Sequence, residues 1–295
     1  MLLPQMELQY EVNKMLTDYH VHTYYSDDSD YQMEDVVKDA AAMGLDEICF
    51  TDHVDYGVKR DWDDPRGVLY RIDEPNVALA NVDYEKYFKE YSHLAEKYGA
   101  DIKLKLGLEF GMQRHTIPDF EKLYKRYPFD FIILSVHQIN DTEFWTGDYQ
   151  KGKTQEEYIM EYYEELLYLV KNYHNYSVLG HLDLISRYDN SDRKYPFNKI
   201  KTIVTDILKT VIADGKGIEI NTSWHRYGLS DVTPSTDILE LYRLLGGEII
   251  TIGSDSHKPE HLGTYIDEAK SILKELGFKQ YCTFDKMKPV FHNID

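Results

Sequence analysis

The stretch FDFIILSVH at residues 129–137 contains the pattern that decides the fold, an apolar run rich in β-branched residues that ends in a histidine. Such continuous apolar runs are typical of strands that are covered on both faces, as in a parallel sheet. Six more runs of this kind occur along the chain. They are MLTDYHVH (15–22), DEICFTDH (46–53), IKLKLGLEF (102–110), SVLGHLDL (177–184), GKGIEINTS (215–223) and GEIITIGSDSH (247–257).

Longer amphipathic stretches separate these runs and indicate helices. They lie at residues 33–43, 84–98, 155–172, 200–213, 238–245 and 259–276, and most are followed by a glycine, which commonly ends a helix. Alternating strands and helices predict a parallel sheet. Seven strand–helix units suit a closed or nearly closed barrel better than an open sheet. We therefore expect a single α/β barrel domain over residues 1–295.

The charge of the chain limits its partners. The 295 residues include 33 Lys and Arg against 52 Asp and Glu, a net charge of −19, while 42% hydrophobic residues suffice for a full core. A field of this sign repels phosphodiester backbones, so nucleic acid is a poor candidate for the substrate. A small molecule remains compatible with this charge.

Cysteine usage and the absence of long apolar runs indicate a cytoplasmic protein. Cys49 and Cys282 both lie in apolar, strand-like segments, and we expect buried free thiols in a reducing compartment. Residues 1–16 lack the basic region and following apolar run of a signal peptide. No stretch approaches the 18 or so apolar residues that span a membrane, so we expect no membrane association.

Every predicted strand carries an ionisable or metal-binding side chain at or near its C-terminal end. In order along the chain these are His20 and His22, Asp52 and His53, Glu109, His137, His181 and Asp183, Glu219 and Asn221, and Asp255 and His257. The C-terminal ends of the strands of a parallel barrel converge on one face, where active sites form. Any one of these motifs could be incidental, but six of the 12 histidines fall at strand ends, and this regularity predicts a shared site.

Eight of these side chains are candidate metal ligands, namely His20, His22, His53, Glu109, His137, His181, Asp255 and His257. Imidazole and carboxylate together suit zinc, iron and manganese. Eight ligands are too many for one tetrahedral site, so two or three ions that share bridging carboxylates fit better. Glu109, alone on a middle strand, is the expected bridge. Clustered ions make hydroxide available near neutral pH, which predicts metal-assisted hydrolysis.

Seven motifs, taken in order, resemble those of the polymerase and histidinol phosphatase (PHP) superfamily over about residues 18–277. They are HVHT, FTDH, GLEF, FDFIILSVH, GHLDL, IEINTS and GSDSHKPEHLG. The segments YPFDFIILSVH and GSDSHKPEHLG are most similar to the histidinol-phosphatase branch. The resemblance implies a distorted, TIM-like (β/α)7 barrel with three divalent ions, zinc, manganese or iron, at the C-terminal ends of the strands.

The resemblance also implies how the ligands divide. The first ion would be held by His20, His22, Glu109 and Asp255, and the second by Glu109, His137 and His181. The third would be held by His53, His257 and a residue eight positions after the first histidine, which is often a histidine in the family. Here that position is Asp28. An aspartate can serve as a ligand, although a solvated turn is the alternative interpretation of the SDDSD segment.

The mechanism implied by the resemblance is attack on a bound phosphate by a hydroxide that bridges the first two ions. In this mechanism Glu109, Asp255 and His257 would form the catalytic group, and Asp255 would take a proton and pass it to the leaving alkoxide. Arg187 is the candidate phosphate clamp, because a guanidinium binds phosphate oxygens in pairs; a surface salt bridge is the alternative. Asn221 and His225, after the sixth strand, are candidates for recognising the rest of the substrate.

The leading hypothesis is a phosphomonoesterase that acts on L-histidinol phosphate. A protein-tyrosine phosphatase of the same superfamily, a nuclease, and a non-catalytic metal-binding or regulatory barrel are the alternatives, and the negative charge opposes the nuclease. Two long acidic loops, at 54–82 and 140–154, carry Trp62 and Trp145. Acidic and aromatic side chains suit a substrate with an ammonium group and an imidazole.

Overall fold

A computed structural model describes residues 15–71, 75–189, 191 and 193–294. Most of the segment used for the signal-peptide prediction lies outside the described residues, as do positions 72–74 of the first long loop. The described strands are β1 (Thr17–Val21), β2 (Glu47–Phe50), β3 (His53–Val54), β4 (Leu69–Tyr70), β5 (Ala78–Leu79), β6 (Lys103–Gly111), β7 (Phe131–Ser135), β8 (Gln138–Ile139), β9 (Thr142–Glu143), β10 (Val178–Leu179), β11 (Gly217–Asn221), β12 (Ile250–Gly253), β13 (Gln280–Asp285) and β14 (Lys288–Asn293). The α-helices are α1 (Met33–Ala42), α2 (Tyr84–Tyr98), α3 (Ile117–Arg126), α4 (Gln155–Asn172), α5 (Phe197–Ala213), α6 (Thr236–Leu244) and α7 (Ile266–Glu275).

Seven parallel strands form the barrel in the order β1, β2, β6, β7, β10, β11 and β12. The ring closes where the backbone N–H of His22 donates to the carbonyl of Ser256 at 2.8 Å, and that of Ser256 donates to the carbonyl of His20 at 3.1 Å. Strand β6 pairs with β2 at its beginning and with the short β3 near its end. The predicted α/β barrel of parallel strands is therefore confirmed.

Burial explains why the apolar runs form strands and the amphipathic stretches form helices. All five residues of β7 and of β11 are buried, as expected for strands covered on both faces. Helix α5 instead buries one stripe, made of Ile200, Val204, Ile207, Leu208 and Val211, at the spacing of a helix that packs on one side only.

One helix was missed from the sequence, and the start of another was predicted wrongly. Helix α3 was not predicted, although it is as long as α1 and buries Phe120 and Leu123. Helix α7 begins at Ile266 and not at 259, because a 3-10 turn over Pro259–His261 is followed by Tyr265 in the left-handed conformation at φ 59°.

The C-terminal hairpin of β13 and β14 packs against the barrel interior at the end opposite the strand-end histidines. Phe284 of β13 joins Tyr19, Phe131 and the two cysteines in one apolar cluster. Cys49 and Cys282 are buried and free, as predicted. Within the described part of the chain, no helix has both the length and the apolarity needed to cross a membrane.

Candidate metal centre

The eight ligand candidates at the strand ends meet in one cluster at the C-terminal face of the barrel. Their donor atoms form four overlapping groups, each with all ligand atoms within 4.8 Å of one another. The groups are His22, His53 and His257; His20, His22 and Asp255; His20, Glu109 and His181; and His53, Glu109 and His137. The parallel barrel brings these residues together from six segments that are far apart in sequence.

Glu109 lies at the centre of this cluster and is fully buried. Its Oε1 atom is 2.8 Å from Nε2 of His181 and 3.1 Å from Nε2 of His137. Its Oε2 atom is 3.0 Å from Nδ1 of His53 and 3.2 Å from Nε2 of His20. Although burial alone would raise the pKa of this carboxyl group, the surrounding histidines lower it well below its ordinary value. A carboxylate with one oxygen toward each half of the cluster has the geometry of a bridging ligand.

The donor atoms in the cluster fit divalent cations. Nδ1 of His20 is 2.6 Å from Oε1 of Glu219, which leaves the Nε2 lone pair directed at the carboxylate of Glu109. Among the described residues, Nε2 of His20, Nε2 of His22, Nδ1 of His53 and Oε2 of Glu109 are buried without a hydrogen-bond partner. Buried polar atoms normally have a partner. Unpaired donor atoms that converge in this way are able to hold a cation between them, and imidazole with carboxylate suits zinc, iron or manganese.

Asp255 connects this cluster to two arginines. Its Oδ1 atom is 3.5 Å from Nε2 of His22 and 3.6 Å from Nδ1 of His257. Its Oδ2 atom is 3.4 Å from Nη2 of Arg226 and 3.5 Å from Nη2 of Arg187. Burial would raise the pKa of this carboxyl group, but His20, His22 and Arg226 lower it well below its usual value. Asp255 is therefore an ionised acceptor between the histidines and the guanidinium groups.

Asp28 reaches the cluster from the turn after β1. Its Oδ2 atom is 3.3 Å from Nε2 of His257 and 3.7 Å from Nε2 of His53. The turn is held at its base by Asp52, which accepts hydrogen bonds from the N–H of Thr23 at 2.7 Å and from Oγ of Ser26 at 2.8 Å. The side chain of Asp28 is 45% exposed, so it lies at the open edge of the cluster.

Two carboxylates behind the cluster orient its histidines. Glu219 of β11 binds Nδ1 of His20, and Asp55 lies 2.8 Å from Nδ1 of His137. Partners of this kind fix the ring orientation and direct the second nitrogen at a metal. This role could not be predicted for either carboxylate from the sequence pattern. For Asp55 the available signal was its position two residues after His53, just past the end of β3.

A cavity of about 660 Å³ opens over the cluster. Asp28, His53, His137, His181, Asp255 and His257 form one wall of it. The rest of its lining includes Asp27, Asp55, Lys59, Arg71, Leu79, Glu143, Trp145, Leu184, Arg187, Tyr188, Arg226, Tyr227, Lys258 and His261. Trp145 therefore lies where the long-loop hypothesis requires, whereas Trp62 borders a separate depression beside Arg126.

Arg187 is held at the cavity by its neighbours. Its Nη2 atom donates to Oγ of Ser223 at 2.7 Å, and its guanidinium group lies 3.9 Å from the ring centre of Tyr227. Arg226, which sequence reasoning missed, also lines the cavity and donates through Nη1 to the carbonyl of Ser254 at 2.7 Å. Two guanidinium groups thus flank the carboxylate of Asp255.

Asn221 and His225 do not border this cavity. Asn221 is fully buried, donates to Oε2 of Glu219 at 3.2 Å, and accepts from the N–H of Ser223 at 3.0 Å. The ring of His225 stacks on Tyr265 at a centroid distance of 3.7 Å. The structure therefore places Asn221 beneath the cluster and His225 beside α7, away from the space that a substrate would fill.

Comparison with known proteins places this site in a family. The PHP domain model matches residues 18–223. A histidinol-phosphatase of Lactococcus lactis is 34% identical over 273 residues, which cover 92% of this chain and 95% of the relative. A probable histidinol-phosphatase of Clostridium acetobutylicum is 28% identical over 267 residues, covering 90% and 95%.

Two solved structures resemble the fold. The crystal structure of the histidinol phosphate phosphatase of Lactococcus lactis, complexed with zinc, L-histidinol and phosphate, has a TM-score of 0.80 and 32% identity, covering 93% of this chain and 98% of that one. A putative histidinol phosphatase of Listeria monocytogenes has a TM-score of 0.67 at 20% identity, covering 84% and 98%, and supports the fold alone. Because the family model spans most of the barrel and a relative this similar covers nearly the whole chain, the protein belongs to the PHP domain family.

Proposed function

We propose that this protein is a metal-dependent phosphomonoesterase that hydrolyses L-histidinol phosphate to L-histidinol and phosphate, a step of histidine biosynthesis. The observation that carries the proposal is the cavity, which joins a cluster of metal ligands to two arginines. The relative of similar fold that holds zinc, L-histidinol and phosphate supports the same substrate.

We propose three divalent ions, with zinc the best supported and manganese or iron as alternatives. His20, His22, Glu109 and Asp255 would hold the first, Glu109, His137 and His181 the second, and Asp28, His53 and His257 the third. Bound divalent ions supply water of lowered pKa and neutralise phosphate oxygens. The overlapping ligand groups support shared ions, since Glu109 and His53 each belong to two of them.

The protein side chains would bind the phosphate and move the proton. Arg187 and Arg226 would bind phosphate oxygens, because a guanidinium group matches their geometry. Asp255, held ionised, would accept the proton of the attacking water and return it to the leaving alkoxide. His257, whose Nδ1 atom lies 2.9 Å from the backbone carbonyl oxygen of Asp255, would keep that residue in place.

The cationic part of the substrate would be recognised at the other side of the cavity. Glu143 is a lining carboxylate that forms no ion pair with a described residue, whereas Asp27 and Asp55 are both paired with Lys59. Burial raises the pKa of Glu143, an effect that the hydrogen bond from Trp145 and the nearby charge of Lys59 only partly oppose, as expected for a carboxyl group without a directly paired cation. An ammonium or imidazolium group would supply that cation, and Trp145 would offer its ring face.

We also propose that residues 1–295 form one barrel domain that works in a reducing compartment such as the cytoplasm, without nucleic acid or membrane as a partner. The two buried free thiols and the charge of −19 support this proposal. Release of inorganic phosphate from L-histidinol phosphate by metal-loaded protein tests the proposed function. Two results would contradict it: turnover that survives complete metal removal, or no turnover of L-histidinol phosphate by metal-loaded protein.

A further inference from the structure

A second layer of charge lies beside the metal cluster, centred on the ammonium group of Lys59. Its Nζ atom is 2.5 Å from Oδ1 of Asp27 and 2.9 Å from Oδ2 of Asp55. All three side chains are at most 7% exposed, and all three border the cavity. Buried charges are stable only when they are paired and hydrogen-bonded. The two carboxylates therefore fix the position of the ammonium group, and the ammonium group fixes theirs.

One arm of this network reaches the metal ligand His137. Oδ1 of Asp55 is 2.8 Å from Nδ1 of His137, and Nε2 of the same ring points to Glu109 at 3.1 Å. The backbone of β6 leaves room for this contact. A Cβ atom at Gly111 would lie 1.8 Å from Oδ1 of Asp55 and 2.7 Å from Nδ1 of His137. The contact between Asp55 and His137 therefore depends on a glycine at position 111 of β6.

The other arm reaches the turn that carries Asp28. Asp27 precedes Asp28 directly, and its Oδ2 atom also accepts a hydrogen bond from Nη2 of Arg71 at 3.3 Å. Asp28 in turn faces His257 at 3.3 Å. The rest of the turn is fixed by the bond from Ser26 to Asp52. The contact with Lys59 therefore holds the end of the turn that presents the carboxylate of Asp28.

We propose that Lys59 is a positioning residue that couples the metal position at His137 to the metal position at Asp28. This inference rests on the proposed metal centre and extends it. Without the ammonium group, the buried carboxylates of Asp27 and Asp55 lose the positive charge between them and repel each other, while Asp27 keeps its contact with Arg71. Asp55 then turns away from His137, the turn with Asp28 shifts, and both ions are held less tightly. Loss of a partner behind a metal ligand typically weakens metal binding by about 10- to 100-fold.

Stepwise removal of zinc from the loaded full-length protein by a chelator tests this proposal, with the released metal counted at each step. Asp55→Asn should weaken the ion at His137 and Asp27→Asn the ion at Asp28, each by at least about tenfold. Lys59→Met should weaken both, and Lys59→Arg should restore much of the affinity. Lys105→Met is the control, because Lys105 pairs with Asp285 on the β13–β14 hairpin, away from the cluster.

Repeating the titration in an Asp28→Ala background assigns the ions, since Asp27→Asn should then have no further effect. Zinc release from Lys59→Met that matches release from Lys105→Met would overturn the coupling. If Lys59→Met does not fold, Asp27→Asn carries the test, and unchanged release of the ion at Asp28 overturns the proposal. A parent protein that binds no zinc would instead remove the metal centre itself, so the two failures are distinguishable.

Discussion

Oε2 of Glu109 lies 3.2 Å from Nε2 of His20, and neither buried atom has a hydrogen-bond partner among the described residues. Two acceptors at this distance repel each other unless a proton or a cation lies between them. Since Nδ1 of His20 is already engaged by Glu219, a shared metal ion explains the pair best.

Glu109→Gln should release more than one ion, because each oxygen of the carboxylate faces a different set of histidines. We expect metal affinity to fall by at least about 10- to 100-fold and phosphatase activity to fall with it. Elemental analysis after dialysis measures the first effect. Glu34→Gln, at a surface carboxylate paired with Lys97, is the control. A Glu109→Gln protein with full metal content would show that Glu109 does not bridge.

Asp28→Ala should lower the occupancy of one ion and leave the others bound. The reason is that Asp28 contacts only the edge of the cluster, at His257 and His53. Metal content per chain, compared with that of Asp30→Ala in the same turn, measures the effect. If both variants keep the parent's metal content and kinetics, the SDDSD segment is only a solvated turn.

Arg187→Met and Arg226→Met should each reduce kcat/KM by at least about tenfold, or roughly 1.4 kcal/mol of transition-state stabilisation. Lysine at either position should recover only part of this loss, because a lysine cannot bind two phosphate oxygens in a fixed plane. Inhibition by inorganic phosphate should weaken in parallel. Arg66→Met, at an exposed arginine paired with Asp64, is the control. Wild-type phosphate inhibition in both variants would exclude the clamp.

The strand-end ligands could be predicted because β-strand geometry determines them. Alternation puts His20 and His22 on one side of β1, and parallel strands bring all their ends to one face. Arg226 and His225 could not be sorted in this way. After β11 the chain enters a 3-10 turn over Thr222–Trp224, which directs Arg226 toward Asp255 and His225 toward Tyr265. Beyond the end of a strand, the number of residues from that end does not predict which way a side chain points.

The contacts of the charged residues behind the cluster could not be predicted from the sequence pattern either. Lys59 and Asp27 are 32 positions apart, in two loops with no periodic apolar pattern. Their contact depends on how those loops fold over the barrel, which neither alternation nor helix periodicity determines. The burial of the two cysteines could be predicted, because each lies within an apolar run that forms a strand.

Neither cysteine should react with thiol reagents in the folded protein. Burial raises the pKa of Cys282 to about 12 and that of Cys49 well above its usual value. At pH 8 only about one Cys282 side chain in ten thousand is then the reactive thiolate, and this fraction rises about tenfold per pH unit until the pH nears 12. A colorimetric thiol assay should detect no fast thiol in native protein and two in denaturant. Rapid labelling at pH 8 without unfolding would contradict this burial.

The central claim is that the protein selects L-histidinol phosphate over other phosphate monoesters. We expect kcat/KM for L-histidinol phosphate to exceed that for p-nitrophenyl phosphate and for a phosphotyrosine peptide by at least about a hundredfold, or roughly 2.7 kcal/mol. Glu143→Gln should reduce kcat/KM for L-histidinol phosphate more than kcat/KM for p-nitrophenyl phosphate, because p-nitrophenyl phosphate carries no cationic group for Glu143 to bind. The three kcat/KM values, measured on zinc-loaded protein, test the account most directly. A lead of about a hundredfold for L-histidinol phosphate supports it, and a preference for the phosphotyrosine peptide would contradict it.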